Sequence, residues 1–275
     1  MKKILVPTDF SACAANALKY AAELAARAEA ELTVLHVIYP NDGMNNNMYD
    51  AFWVDDYVQQ RMEDTSTWSQ KILEDSGFKD VVPLTTHCNI GFPAGTIVDT
   101  AEDLKVALVV MGTTGATGLK GILMGSTAGG VIAKGECPVL TIPPEASFTE
   151  GRSFVLATDM SLHLNKAAVD AAHLVLDAHR APLNVLHVLR EDEALNHQFE
   201  KGVGASLGTI PHHFHYLHSN NVTTAVDHFI QSTDAAGVIA VSHHHSALHQ
   251  LFYRSVSRSL AERVQVPALV LQDRK

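Results

Sequence analysis

The sequence predicts an α/β fold made of two tandem, doubly wound parallel-sheet domains. Three observations support this prediction: short apolar runs alternate with helical periodicity, each run is continuous, and the whole pattern occurs twice. A continuous apolar run is typical of a strand that is buried on both faces of a parallel sheet. Because such strands alternate with helices, right-handed crossover units and a doubly wound sheet are expected.

The repeat is visible in matching segments of the two halves. ILVPTDFS and LTVLHVI in the first half resemble FVLATDMS and LNVLHVL in the second, so that Asp9 matches Asp159. The ends also match, because KGECPVLTI resembles ERVQVPALVL and aligns Pro138 with Pro267. The shared order predicts strand, helix, strand, helix, strand, helix and strand in each half.

The boundary between the halves is expected near Pro143-Pro144-Glu145, because the residue before a proline is biased away from helix. A chain of 275 residues is long enough for two domains of ordinary size. We therefore predict one domain at residues 1–145 and a second at 151–275.

Individual elements follow from the same patterns. Apolar runs predict strands at ILV, LTVLHVI and VALVVMG in the first half and at FVLAT, LNVLHVL and GVIAVS in the second. Residues 14–30 have apolar side chains every three or four positions, which predicts a helix with Ser11 as its N-cap. A polar loop at 41–50 precedes a second predicted helix, from Ala51 to Leu73.

Composition excludes several classes of protein. The formal net charge is −10 and Lys and Arg form no block, which argues against nucleic acid or an anionic membrane as the main partner. The N-terminal MKKILVPTDFS lacks the apolar run of a secretory signal, and no apolar run approaches the roughly 18 residues of a membrane span. Cys13, Cys88 and Cys137 form no disulfide framework, so a cytoplasmic protein is expected.

The glycine-rich stretch MGTTGATGLKGILMGSTA, at residues 111–128, lies between an apolar run and a helical pattern. It is not a P-loop, because Lys120 is followed by Gly121 rather than by Ser or Thr, and it contains no GxGxxG. Glycines without a Cβ, followed by the start of a helix with unsatisfied N–H groups, suit a phosphate. The alternative is that the glycines only form a tight loop and a helix cap.

Together these motifs resemble the universal stress protein family, with two such domains in one chain. The matching segments in the first half are ILVPTDFS, LTVLHV, GFPAGTIVDTAE, VVMGTTG and GSTAGGVIAKGECPVLTI. The resemblance implies a Rossmann-like, adenine nucleotide alpha hydrolase-like fold and a site for ATP, with Mg²⁺ or Mn²⁺ accompanying the nucleotide. The nucleotide-binding members of this family carry Gly-x2-Gly-x9-Gly-Ser/Thr, a spacing that residues 112–126 satisfy.

The resemblance also implies a role for individual residues. The adenosine is expected at Pro7, Thr8, Asp9, Val37 and Met111, and the phosphates at Gly112, Gly115, Gly125, Ser126 and Thr127. Taken singly, Asp9 is equally consistent with a helix cap, and Val37 and Met111 with core positions.

The resemblance further implies that the two halves form an intrachain pseudo-dimer. Its terminal strands, around residues 139–142 and 268–271, would pair across the halves, and Pro138 and Pro267 just before them fit edge positions. Association of two such chains into a homodimer is left open by the sequence, as are protein partners.

The second half departs from the nucleotide-binding pattern. Its equivalent stretch predicts a loop that is one residue shorter, with these replacements: Ser242 for Gly112, His245 for Gly115 and Arg254 for Gly125. The GFPAG segment has no counterpart in residues 222–234. We therefore expect that this half does not bind ATP in the usual mode, with a weak anion site at Arg254 and Ser255 as the alternative.

Histidine is concentrated in the second half, where fourteen of the sixteen lie. Residues two apart on a strand share a face, so His213 with His215, or His243 with His245, could offer paired imidazoles to Zn²⁺ or another metal. No Cys or well-spaced carboxylate completes a ligand set, and the alternative is exposed or locally hydrogen-bonded histidines. So many groups that titrate near pH 6.5 also suggest an acid-responsive half.

Three functions are compatible with this fold. The first is a regulatory protein with ATP as its ligand, and the second is a slow ATPase or nucleotidyl-transfer enzyme that uses the same site. Lys120 and Thr114 are the nearest candidates for catalysis, but neither stands in a recognisable catalytic spacing. The third, a flavin binder, lacks distinguishing residues. We therefore predict ligand binding, with no catalytic residue assigned.

Overall fold

The computed structural model describes residues 1–40, 51–114, 125–158, 162–189, 198–243 and 266–273. Ten strands lie in this part of the chain: β1 (Lys3–Thr8), β2 (Glu31–Ile38), β3 (Leu84–Ile90), β4 (Leu108–Gly112), β5 (Val139–Ile142), β6 (Phe154–Ala157), β7 (Leu183–Leu189), β8 (His212–His218), β9 (Gly237–His243) and β10 (Ala268–Asp273). The helices in the same ranges are α1 (Ala12–Ala28), α2 (Ala51–Asp75), α3 (Pro93–Asp103), α4 (Ser126–Lys134), α5 (Lys166–His179), α6 (Gln198–Leu207) and α7 (Val222–Ser232).

All ten strands form one sheet in the order β3-β2-β1-β4-β5-β10-β9-β6-β7-β8. Within each half every described strand pair is parallel, and the order of one half repeats that of the other. The predicted α/β class with a mostly parallel, doubly wound sheet is therefore confirmed.

The two halves meet through antiparallel pairing of β5 with β10, in which Leu140 lies opposite Leu269. Thr141 strengthens this joint, because its hydroxyl donates to the carbonyl of Ala268 at 3.2 Å. The expected pairing of the terminal strands is confirmed. The bounds 1–145 and 151–275 stay a prediction, because one continuous sheet spans both halves.

The helices cover both faces of this sheet. On one face a single hydrophobic cluster includes residues of α1 and α2 together with residues of α5 and α6, so the halves share a core there. On the other face two separate clusters lie under α3 and α4 in the first half and under α7 in the second. Side chains of successive strand residues lie on opposite faces of the sheet, so Ile4 belongs to the shared cluster and Leu5 to the cluster under α3 and α4.

The predicted helix signals hold in the first half. Ser11 caps α1, because its hydroxyl accepts the N–H of Ala14 at 3.1 Å, and α1 ends at the left-handed residue Glu29. The helix predicted from Ala51 to Leu73 is α2.

The second half has a helix, α7, where the first half has α3, although it has no GFPAG segment. The GFPAG segment forms the start of α3, and α7 occupies the matching place between β8 and β9. The two helices begin differently, because Asn221 caps α7 through its side chain whereas α3 begins with Phe92 and Pro93.

No helix in the described ranges is both long and apolar enough to cross a membrane.

Candidate functional site

A cavity of about 520 Å³ opens at the carboxyl ends of β1, β2 and β4. Strand order reverses between β1 and β4, and such a switch point is where doubly wound sheets bind ligands. The lining residues come from five elements and the turns between them: Pro7, Thr8, Asp9, Ala14, Leu35, His36, Val37, Tyr39, Pro93, Ile97, Met111, Gly112, Thr113, Thr114, Gly125, Ser126, Thr127 and Ala128.

All the predicted binding residues that the structure describes line this one cavity. Gly115 and Lys120 lie outside the described residues. Sequence reasoning missed the contributions of α3 and of Tyr39, although the GFPAG motif was a usable signal for α3. Sequence reasoning also missed Thr113, a lining residue that directly follows Gly112, the last residue of β4.

The end of β1 turns sharply so that Asp9 faces the cavity. Phe10 has a left-handed backbone with φ of 61°, and its N–H donates to the Thr8 hydroxyl at 3.0 Å. The Ser11 N–H donates to a carboxylate oxygen of Asp9 at 3.1 Å. His36 adds a hydrogen bond of 3.0 Å between its Nδ1 and the Thr8 carbonyl, which ties β2 to this turn.

The unusual conformation of Phe10 is held by packing. Its ring lies 4.6 Å from the ring of His36 and contacts Trp68 of α2 edge-on at 5.5 Å. A left-handed, non-glycine residue costs on the order of 1 kcal/mol. These aromatic contacts offset that cost, and they explain why a phenylalanine can stand in a turn beside the site.

Gly112 is required for space. A Cβ on Gly112 would lie 2.7 Å from the Sγ of Cys13 and 3.2 Å from its backbone carbonyl carbon and oxygen. The first turn of α1 can therefore approach the end of β4 only because residue 112 has no side chain. Gly112 is not among the residues with positive φ, so its dihedral freedom is not used.

The N-terminus of α4 presents backbone donors to the cavity. Its N-cap is Gly125, which has an ordinary extended backbone and no side chain to satisfy the first N–H groups. The Gly125 N–H itself donates to the Thr113 carbonyl at 2.7 Å, which fixes the start of α4 beside the end of β4. The following N–H groups, at Ser126, Thr127 and Ala128, carry the partial positive charge of a helix N-terminus.

The remaining wall of the cavity is apolar. Leu35, Val37, Met111 and Ile97 contribute side chains from β2, β4 and α3. Met111 and Ile97 are buried in the core on the α3 side, and α3 packs closely on α4 where Ala94 meets Gly130. The cavity thus has a polar end at β4 and α4 and an apolar wall towards β2.

Comparison with known proteins identifies the family. The sequence model of the universal stress protein family matches residues 1–143. The chain belongs to the universal stress protein family. It is 35% identical over 145 residues to universal stress protein MJ0531 of Methanocaldococcus jannaschii, a match that covers 51% of this chain and 81% of that protein. It is 33% identical over 160 residues to universal stress protein MJ0577 of the same organism, covering 51% of this chain and 94% of that one.

The tandem arrangement of this universal stress protein is also found in a solved structure. A universal stress protein from Archaeoglobus fulgidus superimposes with a TM-score of 0.72, and the match covers 98% of both chains. The two sequences are 22% identical, so this likeness shows the fold alone.

The second half of this universal stress protein differs at the position of Gly112. The β4–β5 pairing sets Gly112 against Ile142, and the β9–β10 pairing sets Val241 against Leu271. Pro138 and Pro267 precede these partners by the same number of residues, so Val241 is the structural counterpart of Gly112.

The expectation that Ser242 replaces Gly112 was therefore wrong, and so was the expectation of a shorter loop. Two continuous apolar strands can be aligned one residue out of place without a visible mismatch between their sequences. The hydrogen-bond register of the sheet fixes which of their residues correspond. The same offset keeps Arg254 as the match of Gly125 and makes His244, rather than the expected His245, the match of Gly115. Arg254, Ser255 and His245 lie outside the described residues.

Helix α5 begins later than α1, its counterpart. Both end at a left-handed residue, Glu29 after α1 and Arg180 after α5, but α5 lacks the first three residues of the matching turn. Asn165 caps α5 there by accepting the N–H of Ala168 at 2.9 Å. Val241 packs against the core on this face, so its side chain fills the space that Gly112 leaves for the first turn of α1.

The first pair of candidate metal ligands, His213 and His215, lies on edge strand β8, whereas His243 is the last residue of β9. His213 is exposed, and its neighbour His215 uses Nε2 in a hydrogen bond of 3.0 Å with the Asn184 side chain. Burial lowers the pKa of His215, and the nearby His213 lowers it further. Within the described ranges no group of three or more His, Cys, Asp or Glu is placed to hold a metal. Metal binding by these two residues and by His243 and His245 stays a prediction.

Proposed function

We propose that the N-terminal half of this cytoplasmic stress-response protein binds ATP in the cavity as a regulatory ligand. We propose further that the second half does not bind ATP in this mode. One observation carries the proposal: Pro7, Thr8, Asp9, Val37 and Met111 line the same cavity as the N-terminus of α4. Its volume of about 520 Å³ is of the size that small-molecule sites have.

The polar end suits the phosphates. The α4 N-terminus offers unsatisfied N–H groups and a favourable dipole, and Ser126 and Thr127 add hydroxyl groups beside them. Mg²⁺ and Mn²⁺ prefer oxygen ligands such as those of phosphates and hydroxyl groups, so this end of the cavity fits a nucleotide accompanied by such an ion. Asp9, the carboxylate among the described lining residues, stays among the residues that would hold the adenosine.

The apolar wall suits the adenosine. Val37 and Met111 offer nonpolar surface to a base, while the Thr8 carbonyl is already engaged by His36 and holds the β1 turn in place. Few polar groups among apolar side chains are typical of sites that orient a small molecule.

The donors support binding rather than catalysis. At the polar end of the described lining they are backbone N–H groups and hydroxyls, and His36 is held at the Thr8 carbonyl, whereas the side chains that stabilise charge in phosphoryl transfer are usually Lys or Arg. The proposed role of ATP is therefore to select a conformation that protein partners recognise. A slow ATPase or nucleotidyl transferase is the alternative use of the same site.

The first test is to denature the purified protein and to identify any released nucleotide by mass spectrometry, together with calorimetric titration of nucleotide-free protein with ATP. We expect one ATP or ADP for each chain. Two for each chain would contradict the proposal for the second half. The absence of both released nucleotide and binding on titration would contradict the main proposal.

A second measurement separates ligand from substrate. Purified protein is incubated with excess ATP and Mg²⁺ in the absence of partners, and released phosphate is followed over hours. We expect no release above that of the Gly125→Arg variant. Release that depends on an intact Gly125 would favour the enzymatic alternative.

A further inference from the structure

We infer that Tyr39 and Phe92 form an aromatic platform at the rim of the cavity that stacks against a purine base and makes the site select purine nucleotides. This inference rests on the proposed function and assigns the residues that determine base specificity in it. Tyr39 lines the cavity, and Phe92 contacts it edge-on with ring centres 5.5 Å apart and an interplanar angle of 79°.

The sheet holds the two rings side by side. Tyr39 directly follows β2 and Phe92 comes two residues after β3, and β2 and β3 end together where Ile38 pairs with Ile90. The Gly91 N–H donates to the Ile38 carbonyl at 2.9 Å, so the chain leading to Phe92 remains attached to the end of β2. Backbone hydrogen bonds between the ends of β2 and β3 therefore place the two rings side by side.

The rings lie at the opposite end of the cavity from the phosphate donors. β1 separates β2 from β4, and neighbouring strands are about 4.8 Å apart. Tyr39 thus lies roughly 10 Å across the sheet from the end of β4 and the start of α4. A ligand whose anionic end contacts Ser126 and Thr127 and whose ribose occupies the middle would bring its base to Tyr39.

Phe92 is exposed and stands at an uncommon position for its residue type. It is 68% exposed, and it reaches the cavity through its contact with the lining residue Tyr39. It is also the N-cap of α3, with an extended backbone and no side-chain hydrogen bond to the helix. Ser, Thr, Asp or Asn stabilise a helix at this position, so the aromatic ring is present at some cost to α3.

The chemistry of the rings points to a base. Aromatic side chains bind nucleobases through their π faces, and a purine offers the larger face. Pro93 and Ile97 continue the apolar surface from Phe92 into the cavity, so a base seated on Tyr39 would be covered on its second side by α3.

The test is calorimetric titration of wild type, Phe92→Ser and Tyr39→Ser with ATP, with CTP and with inorganic tripolyphosphate. We expect each variant to bind ATP about tenfold more weakly, because base–aromatic stacking is typically worth that order of affinity. Tripolyphosphate should bind all three proteins equally, since it has no base. Wild type should prefer ATP to CTP, and the variants should lose most of that preference.

Two matched controls separate stacking from folding. Phe92→Tyr keeps the ring and should keep ATP affinity, whereas Phe92→Ser should keep or raise the melting temperature, because serine can cap α3. Val81→Ser removes another exposed apolar side chain. Val81 is 59% exposed and lies before the start of β3, at the end of the strand that is away from Phe92. This variant should change neither the ATP affinity nor the tripolyphosphate affinity.

The outcomes distinguish this inference from the proposal on which it rests. If wild type binds ATP and both serine variants bind it equally well, the platform is wrong and the proposed function stands. If the variants lose ATP and tripolyphosphate affinity to the same extent, the rings only maintain the site's structure, and the inference is again wrong. If wild type binds neither ATP nor tripolyphosphate, the proposed function is wrong, and the platform that rests on it is wrong as well.

Discussion

Strand β4 in the first half and its counterpart β9 in the second differ at one matching position, and each meets a different helix start. β4 ends at Gly112, and the first turn of α1 approaches it so closely that a Cβ would clash with Cys13. β9 has Val241 at this position, and α5 begins one turn further along. The absence of a side chain at Gly112 thus leaves the space in which the first turn of α1 closes one wall of the cavity.

The scaffold around this difference is the same in both halves. The His36 Nδ1 lies 3.0 Å from the Thr8 carbonyl, and the His187 Nδ1 lies 3.0 Å from the Thr158 carbonyl. Strand order is also the same. The hydrogen bonds that hold the strand ends together are therefore independent of the contacts that shape the cavity.

The largest expected effect comes from copying the second half into the first. Gly112→Val should lower the free energy of unfolding by about 1–3 kcal/mol, because its side chain must displace the Cys13 backbone or distort β4. It should also abolish ATP binding, since the β1–α1 turn that carries Asp9 must move. Chemical denaturation and calorimetric titration measure the two effects.

Gly129→Ala is the control for Gly112→Val. A Cβ on Gly129 meets nothing within 4 Å, and the residue lies inside α4, where alanine stabilises by about 0.5–1 kcal/mol. Wild-type stability and affinity in Gly112→Val would show that steric exclusion does not explain the difference between the halves.

Gly125→Arg tests the second difference, because Arg254 is the sequence match of Gly125. The backbone of Gly125, with φ of −61° and ψ of 157°, accepts any residue, so stability should change by less than about 1 kcal/mol. ATP affinity should fall by more than about 100-fold, because the side chain fills phosphate space. The control is Gly202→Arg, which adds the same side chain at an exposed position of α6 and should bind ATP normally. Normal ATP binding by Gly125→Arg would contradict the assignment of the site.

A third difference lies where the halves join, at His179 near the end of α5. Its Nδ1–H donates to the Thr149 carbonyl at 2.6 Å, so Nε2 accepts from the Tyr20 hydroxyl at 2.9 Å. Its ring stacks on Phe148 at 3.8 Å and is fully buried. At the matching position near the end of α1 the first half has Ala28.

Burial lowers the pKa of His179 from 6.5 to about 4, opposed by the hydrogen bond to Thr149 and, more weakly, by Glu150, while Arg27 lowers it further. Because the folded-state pKa is below the unfolded one, protonation favours unfolding. The stabilisation is complete above pH 6.5 and decreases as the pH falls towards 4, by an amount on the order of 3 kcal/mol.

Denaturation curves between pH 7.5 and pH 4 measure this dependence. His179→Gln should be less stable at neutral pH and should lose most of the acid sensitivity of wild type, because glutamine does not titrate. The exposed His213→Gln should retain wild-type behaviour. A wild-type stability that stays flat over this range would refute both the role of His179 and the acid-responsive second half.

The smallest effect is expected for Tyr20→Phe. The change leaves the buried Nε2 of His179 without its donor and should cost about 1–2 kcal/mol, measured by denaturation at pH 7.5. Tyr57→Phe, at a half-buried position of α2, is the matched control and should stay within about 0.5 kcal/mol of wild type. Equal stabilities of the two variants would mean that this hydrogen bond does not contribute to the joint.

The order of strands and helices along the chain could be predicted from local signals: apolar runs, a capping serine, glycines after a strand, and a repeat that shows these signals twice. The pairing of the terminal strands and the gathering of residues from Pro7 to Thr127 around one cavity were implied by the resemblance to the universal stress protein family. Strand ends of a parallel sheet meet at one edge, so their motifs come together whatever the details of packing.

The sequence did not predict the match of Val241 with Gly112, the late start of α5, the Tyr39–Phe92 pair or the buried hydrogen bonds of His179. Each depends on contacts between residues that are distant in sequence; Tyr20 and His179 are 159 positions apart. The register of apolar strands and the close approach of one backbone to another produce no periodic pattern in a sequence. They are set by which atoms fill the same space, and that becomes defined only when the chain is packed.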